Sequence, residues 1–326
     1  IPHITNSEIW LEEKPSSTLN IGLSRSALTA LNVPTASINS FPVEFLNGMA
    51  DRAKALGDVA DSAPANWDDV WQGRVDLWIS INALTEEDRE TKFKILEDLI
   101  AQTNGAEILA IQNSNALTIN GAPSKKEHFG YSDGIAQPDF EGSHSVNTPG
   151  DGEIAGNGKW KDLKNGEFLL GYPNEAEEDG NLPVPMLLAK NGSFMVYRKL
   201  EQNVKAFRDY VDAWGERYPG GKEKLMAKFM GRWRDGTPLA LSPEKMDPEL
   251  VADAQRSNNF TYKDDMDGAK CPLGAHVRRA NPRDSILFNG KLASRRRIVR
   301  RGMPYGNYVP EGETVNEEER GIIFMA

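Results

Sequence analysis

Residues 127–138, Glu-His-Phe-Gly-Tyr-Ser-Asp-Gly-Ile-Ala-Gln-Pro, constrain this chain more than any other stretch. Gly130 and Gly134 bracket Asp133 in an otherwise apolar and aromatic setting, and Pro138 stops regular structure. Glycine lets the backbone turn sharply or come close to a ligand, so the Asp133 carboxylate is expected on a turn that a ligand can approach.

A chain of 326 residues suggests two domains. At 39% hydrophobic residues it can bury ordinary cores, and no apolar run approaches the ~20 residues of a membrane span. The net charge of −10 disfavours nonspecific binding to nucleic acid. Cys271 is the single cysteine, so neither an intrachain disulfide nor a cysteine-rich metal site can form. A soluble protein of a reducing, cytoplasmic compartment fits; a secreted one without disulfides is left open. The sequence opens at Ile1 and shows no signal-type segment, which leaves a removed leader and a partial chain both open.

Periodicity organises the first part. Residues 19–24 alternate as a strand, Ser26–Leu31 reads as a short helix, and Pro42–Leu56 carries helical spacing with proline in the first turn. Val75–Ile81 is predicted as a strand, Glu86–Thr103 as an amphipathic helix, and Ala106–Ile111 as a buried strand. That order suits an α+β sandwich with helices on one face of an antiparallel sheet. Residues 141–185, rich in Gly, Asn, Pro and acids, read as a long connecting region. A second unit is expected from residue 186: a strand at Gly192–Arg198, helices from Glu201 to about Arg217 and over Lys222–Met230, and strands at Ile298–Val299 and Gly321–Phe324.

Three residues in Gly/Pro-punctuated settings, Asp133, His276 and Arg300, are the groups a haem peroxidase needs. A histidine can hold haem iron from one side and leave the other open to peroxide. A carboxylate near the iron can relay a proton between the peroxide oxygens, and a guanidinium can stabilise charge on the leaving oxygen. Among four histidines, His3 is terminal and His144 sits in a polar loop, which leaves His128 and His276. Gly274 and Ala275 leave room for a flat macrocycle beside His276, and Arg278, Arg279 and Arg283 follow it as candidate partners of haem propionates. Each residue alone has an ordinary explanation. Ser-Asp-Gly is common turn chemistry, a lone histidine is usually a core or surface residue, and Arg295–Arg301 could be a solvated basic strand.

In combination these segments closely resemble the dye-decolorizing peroxidases, in their fungal-like and related bacterial branch. The resemblance rests on Gly130-Tyr131-Ser132-Asp133-Gly134, Gly192–Leu200, Gly231-Arg232-Trp233, Gln255–Tyr262, Cys271–Arg283, Arg300–Gly306 and Glu319–Phe324. It implies two ferredoxin-like α+β domains, residues 1–140 carrying the Gly-x-x-Asp-Gly motif and residues 186–326 holding most of a haem b group. It further implies His276 as iron ligand, Asp133 and Arg300 as the catalytic pair, Arg283 beside the cofactor, and Ile322 and Phe324 in the pocket wall. Tyr305 matches a position that can carry oxidising equivalents to the surface. The family also has a strand ahead of the Leu19 segment and a stretch beyond Phe324 that supplies an acid partner for the histidine; this sequence contains neither.

The expected partners are H2O2 and an electron donor such as a bulky dye, a phenol or Mn2+, with no nucleic acid and no membrane; a homo-oligomer is left open. The alternative is a haem-binding protein for storage, sensing or iron release. A nucleic-acid-binding domain built on the arginine cluster is a third reading, against which the net charge and the lack of interleaved aromatics argue.

Overall fold

The computed structural model describes residues 4–5, 10, 13–103, 105–143, 148–155, 159–180, 182–286 and 290–326; His3 and His144 lie outside them. The chain is α+β and forms two compact units, residues 1–112 with 181–189, and residues 113–180 with 190–326. By this division Asp133, His276 and Arg300 all belong to the second unit.

In the first unit β1 (Ser17–Leu23) pairs antiparallel with β2 (Leu77–Ala83), Leu19 opposite Ile81 and Ile21 opposite Ile79. The helix α1 (Arg25–Ala30) starts where Ser24 Oγ accepts from the Ala27 amide at 3.2 Å. The predicted helix over 42–56 is two, Val43–Asp51 and Ala53–Leu56. Gly48 takes a positive φ of 72°, the Arg52 backbone leaves the helical region, and Gly57 in the left-handed region ends the second helix. The helix α2 (Glu86–Thr103) forms over the predicted range. Thr85 Oγ1 accepts from the Asp88 amide, and Glu86, Glu87 and Asp88 place negative charge on the first turn, where the helix dipole favours it. Ala106–Ile111 departs from expectation: it forms no strand, and Ile108, Leu109 and Ile111 are exposed. A continuous apolar run reads as a buried strand only where a partner strand exists, and among the described residues β2 pairs with β1 alone.

The second unit centres on three antiparallel strands, β3 (Tyr197–Glu201), β4 (Arg301–Tyr305) and β5 (Gly321–Met325), with β5 in the middle. Two of them are displaced from the sequence reading. β3 starts at Tyr197, leaving Phe194–Val196 exposed, and β4 starts after Ile298–Val299. Register places Gly302 opposite Phe324 and Pro304 opposite Ile322, so these four share one face, while Ile323 is buried on the other. Helix α3 (Val204–Gly215) is capped by Asn203, whose Oδ1 accepts from the Ala206 amide. It packs on α4 (Gly221–Met230) at Gly215, where a Cβ would lie 2.8 Å from Lys222 Cα. Gly231 then ends α4 at φ +90°, in the left-handed region glycine adopts without steric cost. A Cβ there would lie 2.4 Å from Val277 Cγ2 and 3.1 Å from Cys271 Sγ. That contact seats the segment leading into α5 (His276–Ala280) against a core of Ala227, Trp233, Leu239, Phe260, Tyr262, Cys271 and Ala275. Among the described residues no helix is long and apolar enough to cross a membrane.

Candidate active site

The turn that presents Asp133 is tied down on both sides. Ahead of it, the buried Glu127 carboxylate accepts from the Phe129 amide at 2.9 Å and the Tyr131 amide at 2.8 Å, and from the Gln202 side chain. Tyr131 is buried and donates its hydroxyl to the Met226 carbonyl at 2.7 Å. The Asp133 amide donates to the Lys125 carbonyl at 2.8 Å, and the Asp133 Oδ1 accepts from the Gly134 amide at 2.6 Å. Gly130 and Gly134 adopt φ of 94° and 77°, which the turn requires of them. The Asp133 carboxylate emerges exposed, against the sheet face of Gly302 and Ile322. A Cβ on Gly302 would lie 3.5 Å from Ile322 Cγ2 and 3.9 Å from Asp133 Oδ2. Ile322 and Phe324 are half-buried on that face.

Arg300, one residue before β4, is half-buried and reaches back to the same turn. Its Nη2 donates to the carbonyls of Ile135 at 3.2 Å and Ala136 at 3.1 Å. Burial pulls its pKa below the usual arginine range, and the charges of Asp133 and Asp151 oppose that pull.

His276 opens α5. Its imidazole can be reached by solvent, yet protein atoms crowd it closely enough that burial holds its pKa below the usual histidine range. The Arg300 cation depresses the pKa further and the Asp133 carboxylate raises it, so the fields of both residues reach this ring. Leu273 and Gly274 beside it are exposed, and a Cβ on Gly274 meets nothing within 4 Å. A neutral, reachable imidazole flanked by open space has the chemistry to hold the iron of a flat cofactor. The other candidate, His128, is buried with Nε2 2.8 Å from the Tyr305 carbonyl oxygen, as a core histidine would be.

The arginines after His276 differ from expectation. Arg278 is 2% exposed and forms a buried ion pair with Asp265 at 3.0 Å, donates to the carbonyls of Cys271 and Asp265, and stacks over Tyr262. Its cation is consumed by the fold. Arg283 is buried with its guanidinium 3.8 Å from the Phe260 ring centroid, donating to the Asn258 and Phe260 carbonyls and to Asn258 Oδ1. It lines a cleft with Trp160, Thr261, Asn281 and Arg297. Burial lowers the pKa of Arg283 to about 9 and of Arg297 to about 10; it raises that of Asp151 to about 6, against the charges of both arginines. Arg297 is also buried, and its hydrogen bond to the Gly152 carbonyl is long at 3.4 Å. Two desolvated cations on one cleft wall suit an anionic group.

Tyr305 ends β4, opposite Gly321 in the central strand; it is 9% exposed, and the Lys199 ammonium lies 5.1 Å from its ring centroid. Glu127, Gln137, Asp151 and Arg297 were without roles in the sequence reading. The first two stand inside the most informative segment, but buried hydrogen bonding leaves no sequence period to detect.

No family model matches the sequence. It is 31% identical over 335 residues to a dye-decolorizing peroxidase of Auricularia auricula-judae, covering 96% of this chain and 60% of that protein. Among solved structures, a variant of the dye-decolorizing peroxidase from Pleurotus ostreatus matches with a TM-score of 0.81 at 28% identity, over 96% of this chain and 65% of that one. A dye-decolorizing peroxidase in complex with 2,6-dimethoxyphenol matches with a TM-score of 0.75 at 29% identity, over 96% and 68%. The chain spans about three fifths of the length of the curated relatives it matches. In sequence and in fold, this chain is a homologue of the dye-decolorizing peroxidases.

Proposed function

We propose that this chain works as a hydrogen-peroxide-dependent haem peroxidase oxidising dyes, phenolics or similar reductants. The observation that carries the reading is that Arg300 bonds into the turn that presents Asp133, through its backbone to Gln137 and its guanidinium to Ile135 and Ala136, in the same compact unit as the reachable imidazole of His276. Relatives named as dye-decolorizing peroxidases, one of them solved with a phenol, supply the substrate class.

Haem b would supply the ferric iron at which peroxide binds and the electrons that peroxide first takes. His276 would ligate that iron from one side, its neutral imidazole favoured by burial and by the Arg300 charge. Asp133 would take a proton from one peroxide oxygen and return it to the other, which leaves as water. Arg300 stabilises the negative charge that builds on the departing oxygen. Ile322 and Phe324 form an apolar wall beside them, and Arg283 and Arg297 would pair with the cofactor's carboxylates. Two molecules of a reductant AH2 each give one electron and one proton, so the balance is H2O2 + 2 AH2 → 2 H2O + 2 AH•.

The test is a pyridine haemochromogen assay with dye turnover on the full-length protein, wild type against His276→Ala. The reading expects one haem b per chain, peroxide-dependent dye loss in the wild type, and a lost or displaced haem spectrum in the variant. Bound haem without turnover would favour storage or iron release instead. A native haem spectrum in His276→Ala would remove that residue from the ligand role.

A further inference from the structure

Gln137 joins the turn of Asp133 to the backbone of Arg300. Its Nε2 donates to the Arg300 carbonyl at 2.9 Å, and its Oε1 accepts from the Arg300 amide at 3.0 Å. One carboxamide therefore satisfies both polar groups of a single peptide residue, as a neighbouring strand would. One and two residues ahead of Gln137, the carbonyls of Ala136 and Ile135 accept from the guanidinium of Arg300. Ala136 holds the left-handed φ of 65°, an unusual conformation for a residue with a Cβ, at the point where its carbonyl accepts from Arg300. Arg300 is thus gripped at its backbone and at its side-chain tip by one segment, residues 133–137, whose first member is Asp133.

We propose that Gln137 is the positioning residue that sets the distance between Asp133 and Arg300. The inference deepens the peroxidase reading and rests on it. The two residues come from remote parts of the chain; pairing with β5 sets β4 from Arg301 onward, and the Arg300 peptide just ahead of it must still be registered against the Asp133 turn. The reciprocal pair fixes that register, because a shift of one residue would leave an amide and a carbonyl unsatisfied at a half-buried position. Aspartate and guanidinium must act on the two oxygens of one peroxide. A displacement of about 1 Å in such a pair is worth about 100-fold in rate.

Two variants separate positioning from simple support. Gln137→Met keeps the length and removes both hydrogen bonds. Gln137→Glu keeps the acceptor for the Arg300 amide and replaces the donor with a carboxylate that regains a donor only when protonated. In the full-length haem-loaded protein, the second-order rate with H2O2 is expected to fall about 10- to 100-fold in Gln137→Met. Haem content and the later reaction with a phenolic reductant should stay within about twofold. For Gln137→Glu, the rate relative to wild type at each pH should recover as the pH falls through the carboxyl titration. A role confined to folding would lower haem content and leave the rate per haem unchanged, with no recovery at low pH. Either a peroxide rate per haem within twofold of wild type in Gln137→Met, or a pH-independent deficit in Gln137→Glu, overturns the proposal. A wild-type protein that binds haem and ignores peroxide would instead remove the peroxidase reading itself.

Discussion

The Asp133 turn and the His276 helix are both set beside the same site, but by different forces. Hydrogen bonds hold the turn: Glu127 accepts two amides, Tyr131 reaches Met226, and Gln137 grips Arg300. Core packing and one buried ion pair hold the helix, with Gly231 admitting Val277 and Cys271, Ala275 buried in the core and Arg278 paired with Asp265. Directional bonds fix where a carboxylate points, which suits the proton transfer proposed for Asp133. The ligand role proposed for His276, on the end of a short helix, needs only a firm seat and open space in front.

The largest expected effect breaks the packed side. Gly231→Val puts a branched side chain where a Cβ would already lie 2.4 Å from Val277, at a φ of +90°. Strain and overpacking together predict a loss of more than about 3 kcal/mol in urea unfolding. Wild-type stability would show that the α5 seat is not where the model of tight packing puts it.

Next comes the bonded side. Glu127→Ala leaves the Phe129 and Tyr131 amides without their acceptor and is predicted to cost about 2–3 kcal/mol. The turn should loosen before the rest of the unit, so hydrogen exchange at Tyr131 should rise more than at Cys271. Equal increases at both would erase the contrast between the two regions.

How far this could be read from residues follows from the same contrast. The Glu86–Thr103 helix and the Gly321–Phe324 strand were legible because an amphipathic or alternating pattern is local. The segments of Asp133, His276 and Arg300 were legible because Gly and Pro punctuate them. The fate of Ala106–Ile111 was not, since pairing depends on which strands lie alongside. Likewise Arg278 looked available to a ligand until Asp265, from another segment, neutralised it.

A smaller effect concerns pH. Burial raises the Asp151 carboxyl to about 6, so the folded state holds its proton more tightly than the unfolded chain. This contribution is therefore present below the usual carboxylate range and is lost as the pH rises through about 6. Asp151→Asn should flatten that part of the stability profile of the second unit, measured by urea unfolding from pH 4 to 7. An unchanged slope would place the titration elsewhere.

The smallest expected effect belongs to Tyr305→Phe. With the ring buried, oxidation of bulky dyes and of small phenols should change alike, and by less than about twofold. A selective loss with bulky dyes would restore a route through this ring.

The most direct test of the account mixes ferric full-length protein with one equivalent of H2O2 in a stopped-flow instrument and follows the Soret band. Wild type should change within the mixing experiment, and Asp133→Asn should slow at least about 100-fold with its resting spectrum intact. Equal rates in the two proteins would contradict the assignment of Asp133 as the group that moves the proton.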